Sequence, residues 1–77
     1  MNNLTLYYSP SCGYCLKVLR FIQDNNIKVT LKNIREKDAY QQELIKTGGK
    51  SQVPCLFIDD KPLYESDDII DWLSENV

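Results

Sequence analysis

Ser9-Pro10-Ser11-Cys12-Gly13-Tyr14-Cys15 constrains this chain more than any other stretch. Before it, Leu4-Thr5-Leu6-Tyr7-Tyr8 is a short apolar and aromatic run, the pattern of a buried strand. After it, Cys15, Val18, Leu19 and Ile22 recur at helical spacing, with Lys17, Arg20, Gln23 and Asp24 between them. A strand therefore delivers a C-x-x-C onto the first turn of an amphipathic helix. Backbone N–H groups in a first turn lack partners within the helix, and the macrodipole is positive there. A Cys12 thiolate would receive N–H groups from Tyr14 and Cys15, which lowers its pKa and makes it the nucleophile. Cys15, about a turn deeper on the apolar face, is placed to attack a mixed disulfide on Cys12. A zinc knuckle and a static bridge are weaker readings. Zinc takes about four ligands, whereas the chain has no histidine and one further cysteine, Cys55. A bridge across one helical turn would stabilise little.

With 77 residues, the chain is expected to form one small domain, 1–77, with a modest core. Its net charge is −2, with acidic and basic residues interspersed, so no basic stripe points to nucleic acid. No apolar stretch reaches transmembrane length, and the first residues do not read as a basic region followed by an apolar block. The expectation is a soluble cytoplasmic protein with no membrane or nucleic-acid partner. In that compartment thiols stay reduced, and a C-x-x-C is catalytic more often than structural. An odd cysteine count also argues against a disulfide framework.

The first helix is expected from Gly13 to Asn25, broken by Asn25-Asn26. Ile27 to Ile34 alternates apolar and polar and predicts a second strand. Asp38 is a plausible N-cap for a helix over Ala39 to Lys46, with Tyr40, Leu44 and Ile45 inward and Thr47-Gly48-Gly49 as its stop. Cys55 to Ile58 predicts a third strand. Asp59-Asp60-Lys61-Pro62 predicts a tight turn, and Leu63-Tyr64 a fourth strand, which makes a hairpin. Ser66 is the expected N-cap of a last helix that has Asp67 and Asp68 in its first turn and buries Ile69, Ile70, Trp72 and Leu73. The order is β-α-β-α-β-β-α, an α/β chain whose four-stranded mixed sheet is flanked by helices.

Cys12-Gly13-Tyr14-Cys15, Val53-Pro54 and Ser66-Asp67-Asp68 stand in an order and spacing that resemble the glutaredoxins, within the thioredoxin-like fold. Leu63-Tyr64-Glu65-Ser66 is also similar to the N-terminal domain of glutathione transferases, although a complete transferase would need a second, helical domain. The resemblance implies that Pro54 follows a cis peptide bond beside the cysteines. It implies that the main chain of Val53 pairs with the cysteine of glutathione as a short strand addition. It places backbone N–H groups of Ser66 and Asp67 on the γ-glutamyl carboxylate, a role that suits any helix N-terminus. The Asp67 carboxylate, or Glu65 on the transferase-like reading, would take the γ-glutamyl amine. Tyr14 matches the aromatic beside the glutathione sulfur. Gln41 falls, by ungapped counting, on a glutamine that contacts the glycyl carboxylate.

Three positions depart from the family pattern. Ser9 stands where many members have lysine, Ser51 where some have a basic residue, with Lys50 as a shifted substitute, and Tyr64-Glu65 where Gly-Gly is usual. The first two thin the positive charge available to the glycyl carboxylate. Gly13 replaces the common proline and is shared with members that resemble iron–sulfur carriers. In those, two protomers hold a [2Fe–2S] cluster through Cys12-type thiolates and two glutathiones.

The implied activity is that of a glutathione-disulfide oxidoreductase in electron transport and cell redox homeostasis. It would be monomeric, use glutathione as reductant and co-substrate, and act on glutathionylated or disulfide-containing proteins. The [2Fe–2S] carrier is the alternative. A thioredoxin-like reductase fed by a flavoprotein is a rival that the glutathione-binding pattern argues against. Cys55 should point opposite to Pro54, away from the active pair, as a buried and inert thiol.

Overall fold

The computed structural model describes residues 3–77. Seven elements follow in the expected order: β1 (Leu4–Tyr8), α1 (Gly13–Asp24), β2 (Thr30–Asn33), α2 (Asp38–Gly48), β3 (Cys55–Ile58), β4 (Lys61–Tyr64) and α3 (Ser66–Asn76). The sheet order is β2-β1-β3-β4. β1 runs parallel to β2 and antiparallel to β3, and β3 pairs antiparallel with β4. No helix among the described residues is long and apolar enough to cross a membrane.

The two central strands are apolar on both faces because both faces are covered. Adjacent residues of a strand point to opposite sides. Leu6 and its partner Leu56 therefore join Val18, Ile22, Ile69 and Leu73 under α1 and α3. Tyr7 and its partner Cys55 join Leu44 and Phe57 under α2. The Tyr7 and Phe57 rings meet edge to face, with centroids 5.1 Å apart. Tyr7 Oη donates to Glu43 Oε1 at 2.8 Å, and Lys32 Nζ donates to the same oxygen at 2.7 Å, tying α2 to β1 and β2.

Several expected boundaries move, each for a local reason. α1 ends at Asp24, and Asn26 takes the left-handed conformation (φ 53°) that stops it. β2 is half the length that the alternation suggests. Ile27 N–H donates back to Ile22 C=O at 3.0 Å, so the chain is still leaving α1 there, and pairing with β1 starts at Thr30. As an edge strand, β2 leaves Leu31 exposed.

α2 starts one residue before the expected span. Lys37 is its N-cap, without a side-chain cap bond, and Asp38 sits in the first turn instead of capping. Gly48 stays helical, and Gly49 (φ 87°) makes the stop, its N–H donating to Ile45 C=O at 2.8 Å. A Cβ on Gly48 would lie 2.5 Å from Tyr64 Oη, which itself donates to Gly48 C=O at 3.0 Å. Ile45 is 44% exposed and not inward as expected, since Leu44 alone of the pair faces the sheet.

The hairpin turn is Asp59-Asp60, tighter than expected, with Asp59 at φ 58°. Lys61 and Pro62 belong to β4, opposite Ile58 and Phe57. Proline is tolerated because β4 is an edge strand. In α3, Ile69 and Leu73 are fully buried, while Ile70 and Trp72 are half-buried.

Core truncation should separate these roles. Leu56→Ala removes a fully buried side chain from the centre of the sheet and should cost about 2–5 kcal/mol. Ile45→Ala should cost less than about 0.5 kcal/mol. Urea denaturation of both variants checks the assignment, and equal losses would contradict it.

Candidate active site

Cys12 is the N-cap of α1. Its backbone is extended (φ −96°, ψ 119°), and its C=O accepts Leu16 N–H at 3.1 Å. The loop that brings it there is a tight turn in which Cys12 N–H donates to Ser9 C=O at 3.2 Å. Its sulfur accepts Cys15 N–H at 3.4 Å, the position a serine or aspartate oxygen takes in an ordinary N-cap. Partial burial pushes the Cys12 thiol up. The Cys15 amide, the Cys15 thiol and the Tyr14 amide push it down and win, so Cys12 is more acidic than an ordinary cysteine.

Cys15 is fully buried one turn on. Burial pushes its thiol up to about 12, Ser9 N–H opposes this from 3.5 Å, and Cys12 adds to the rise. The two thiols are thus driven apart. One is half-exposed and readily ionised, and the other is dry and protonated. Cys55 is buried among Tyr7, Leu44 and Phe57 on the α2 face, and burial pushes it up to about 11. All three cysteines are free.

Tyr14, Val53, Pro54, Glu65, Ser66 and Asp67, all singled out in the sequence, line one groove of about 280 Å³. Tyr14 is 71% exposed, an aromatic with little packing of its own. The Val53-Pro54 peptide is cis. A wider hollow of about 580 Å³ borders Leu19, Ile27 and Leu31, and no charged residue or thiol lines it. Among the described residues no cluster of His, Cys, Asp or Glu could hold a metal ion.

Two expectations change. Ser66 does not cap α3. Glu65 occupies the N-cap position at φ 72°, its C=O accepts Ile69 N–H at 3.0 Å, and Ser66 becomes the first helical residue, buried. Glu65, at φ 72° and ψ 120°, is the last non-helical residue, so the helix starts one residue earlier than expected. Gln41 stands outside the groove lining and donates to Ser51 Oγ at 3.0 Å.

A sequence model described as Glutaredoxin matches residues 4–63. The chain belongs to the glutaredoxin family. Among curated relatives, Glutaredoxin 1 of Rickettsia prowazekii (strain Madrid E) is 27% identical over 78 residues, covering 97% of this chain and 81% of that protein. Among solved structures, a buckwheat glutaredoxin–glutathione complex superposes with a TM-score of 0.74 at 23% identity, covering 96% of this chain and 70% of that one. Human glutathione-S-transferase T1-1, in its apo form, reaches 0.82 at 24% identity, covering 95% of this chain and 31% of that one. The sheet and three helices are thus the thioredoxin-like fold that the glutaredoxins share with these transferases.

Three features around the cysteines and the groove escape sequence reasoning. Gln52 lines the groove and donates to Glu65 Oε1 at 3.2 Å; its place next to Val53 was the available signal. Lys17 Nζ pairs with the Asp67 carboxylate across the α1–α3 contact, which nothing local to either residue announces. Ser9 serves through its backbone N–H, which any non-proline residue carries.

The buried thiols predict an alkaline loss of stability. In the unfolded chain Cys15 and Cys55 ionise near 9.0, and in the fold they hold their protons to about 12 and about 11. Their contribution is complete below pH 9.0 and is lost as pH rises toward the folded values, because the unfolded chain releases its protons first. Cys12 runs the other way. Its gain grows as pH rises to the unfolded value and is constant beyond it, so above pH 9.0 it leaves the slope of the alkaline loss unchanged. Urea midpoints between about pH 8 and about pH 11 should fall steadily past pH 9. A flat profile would contradict the burial of the two thiols.

Proposed function

We propose that this glutaredoxin-family protein is a glutathione-dependent thiol–disulfide oxidoreductase in which Cys12 is the nucleophile and Cys15 the resolving thiol. The observation that carries the reading is the pairing of an acidified, half-exposed Cys12 with a buried, protonated Cys15 one turn away, next to a groove of tripeptide scale. Membership of the family supports the general redox role. The buckwheat glutaredoxin solved as a glutathione complex supports glutathione as the ligand.

On a glutathionylated protein, the Cys12 thiolate attacks the glutathione sulfur. The Cys12–glutathione disulfide forms, the disulfide bond between the glutathione sulfur and the protein sulfur breaks, and the protein leaves as a thiolate that takes a proton from water. A second glutathione thiolate then attacks the glutathione sulfur of the adduct. Cys12 returns as a thiolate, and glutathione disulfide is released. No histidine is present to act as a base, so the lowered Cys12 pKa supplies the nucleophile and a good leaving group together.

On a protein disulfide, Cys12 forms the mixed disulfide first. Cys15 then loses its proton, attacks the Cys12 sulfur and expels the second protein thiolate, leaving a Cys12–Cys15 bridge for two glutathiones to reduce. Burial, the largest cause of the high Cys15 pKa, persists in that intermediate. The added rise from the Cys12 thiol and its charge disappears once Cys12 is bonded, while the Ser9 N–H remains to receive the new anion. Cys15 is thereby quiet until it is needed.

In the groove, the start of α3 offers main-chain N–H groups at Ser66 and Asp67 for the γ-glutamyl carboxylate, and the Val53 main chain suits the cysteinyl unit. A glutathione-ligated [2Fe–2S] cluster between two copies would draw one sulfur, Cys12, from each chain. The resolving thiol beside Cys12 favours disulfide exchange over that reading.

Cys12→Ser should abolish turnover of both substrate types, by at least about a thousandfold. Cys15→Ser should keep turnover of a glutathionylated peptide within a few-fold of the parent and lose protein-disulfide reduction. Steady-state assays with each substrate check this. A Cys15→Ser protein as inactive as Cys12→Ser on the glutathionylated peptide would reverse the assigned order.

A further inference from the structure

A mixed disulfide has a glutathione half and a protein half, and the first turn of α1 borders two hollows. Tyr14 lines the groove read above as the glutathione site. Its neighbour Gly13 lines a second hollow of about 280 Å³ along the outer face of α1, together with Leu16, Lys17 and Arg20. A Cβ on Gly13 would meet nothing within 4 Å, so the surface next to Cys12 is open there.

This second hollow is apolar near Cys12 and cationic at its far end. Gly13, Leu16 and Arg20 follow at steps of three and four residues and so form one stripe of the helix. Leu16 is 51% exposed, whereas Val18 and Ile22 of the same helix are buried. Among the described residues no acidic side chain lines the hollow. Of its two cations, Lys17 pairs with Asp67, and the pair divides the hollow, which Lys17 lines, from the groove, which Asp67 lines. Arg20 is exposed, and no carboxylate among the described residues pairs with it, that of Asp24 one turn on included. The uncompensated positive charge therefore stands on Arg20, two turns and about 10 Å beyond Gly13.

An extended chain rises about 3.3 Å per residue. A partner whose cysteine is held at Cys12, and whose backbone follows the stripe, brings its third residue from that cysteine over Arg20. The residues between lie over Gly13 and Leu16. We propose that this face of α1 docks the protein half of the mixed disulfide and favours partners with an acidic side chain three residues from the reactive cysteine. The proposal rests on the glutathione reading for the other half. Arg20 is the specificity-determining residue, since its guanidinium suits a carboxylate and repels a lysine. Leu16 supplies apolar contact between the two. A partly exposed ion pair is worth about threefold, and a like-charge pair costs a similar factor, so glutamate and lysine at that position should differ about tenfold.

The test is a single turnover of the reduced wild-type protein with glutathionylated peptides that carry one cysteine each. They differ only at the third residue before and after it, which is glutamate, glutamine or lysine. A fourth peptide has its glutamates directly beside the cysteine. Release of the peptide thiol is followed, and each rate is divided by that of dithiothreitol on the same peptide, which removes intrinsic reactivity. The peptide with glutamate at the third positions should react about tenfold faster than the lysine peptide, with glutamine between them and the fourth peptide near the glutamine one. About 0.5 M salt should narrow the tenfold gap to about twofold. Arg20→Glu should remove or reverse the order, and if this variant does not fold, the four peptides decide the matter alone. Glutamate and lysine peptides within twofold of each other, or an equal gain when the glutamates adjoin the cysteine, would overturn the proposal and leave glutathione as the ligand. Rates no greater than those of the same peptides joined to 2-mercaptoethanol would instead overturn the glutathione reading itself.

Discussion

One sulfur fills the place of an N-cap oxygen, and the site depends on it. The first amides of a helix must find acceptors, and at α1 the acceptor is Cys12. The same contact that completes the helix start favours the thiolate over the thiol. Structure and reactivity are therefore not separable at this position. The burial of Cys12 opposes ionisation, and the amides of Cys15 and Tyr14 with the Cys15 thiol overcome it.

The rest of the fold sets the first turn of α1, through Tyr14, at the edge of a groove. β1 is the central strand that β2 and β3 both pair with, so the loop leaving its end starts from a fixed point. α1 and α3 share one face of the sheet over Leu6 and Leu56, which sets the start of α3 beside the start of α1. The groove lies between them, with Tyr14 from one helix and Ser66 and Asp67 from the other. The Lys17–Asp67 pair spans the same two helices. Both partners are largely exposed, so its value lies in directing charge more than in stability. On the opposite face, Tyr7 and Lys32 both donate to Glu43 of α2, and Cys55 is buried beneath that helix.

The sequence discloses what depends on local pattern and conceals what depends on tertiary approach. The element order, the Cys12–Cys15 step and the apolar faces of α1 and α3 follow from spacing, and the structure has them. The groove residues Tyr14, Val53, Pro54, Glu65, Ser66 and Asp67 were legible through motif order. The full length of β2 was not, because alternation reports which residues are apolar and says nothing of where a neighbouring strand begins to pair. The cap of α3 was misjudged because Ser66 is an intrinsically good N-cap, while the positive φ that moves the cap falls on a glutamate, a residue type that rarely adopts it. Lys17–Asp67 joins residues fifty apart in the chain, and only the packing of α1 on α3 reveals it.

The most direct test of the account is the titration of the Cys12 thiol in the reduced wild-type protein, read by pulse alkylation and mass spectrometry of the modified peptide across a pH series. The account predicts that Cys12 is modified with a midpoint below 9.0, while Cys15 and Cys55 stay protected through that range. A Cys12 midpoint at or above 9.0, the value of an unperturbed thiol, would show that the amides at the start of α1 do not hold a thiolate, and the account would fail.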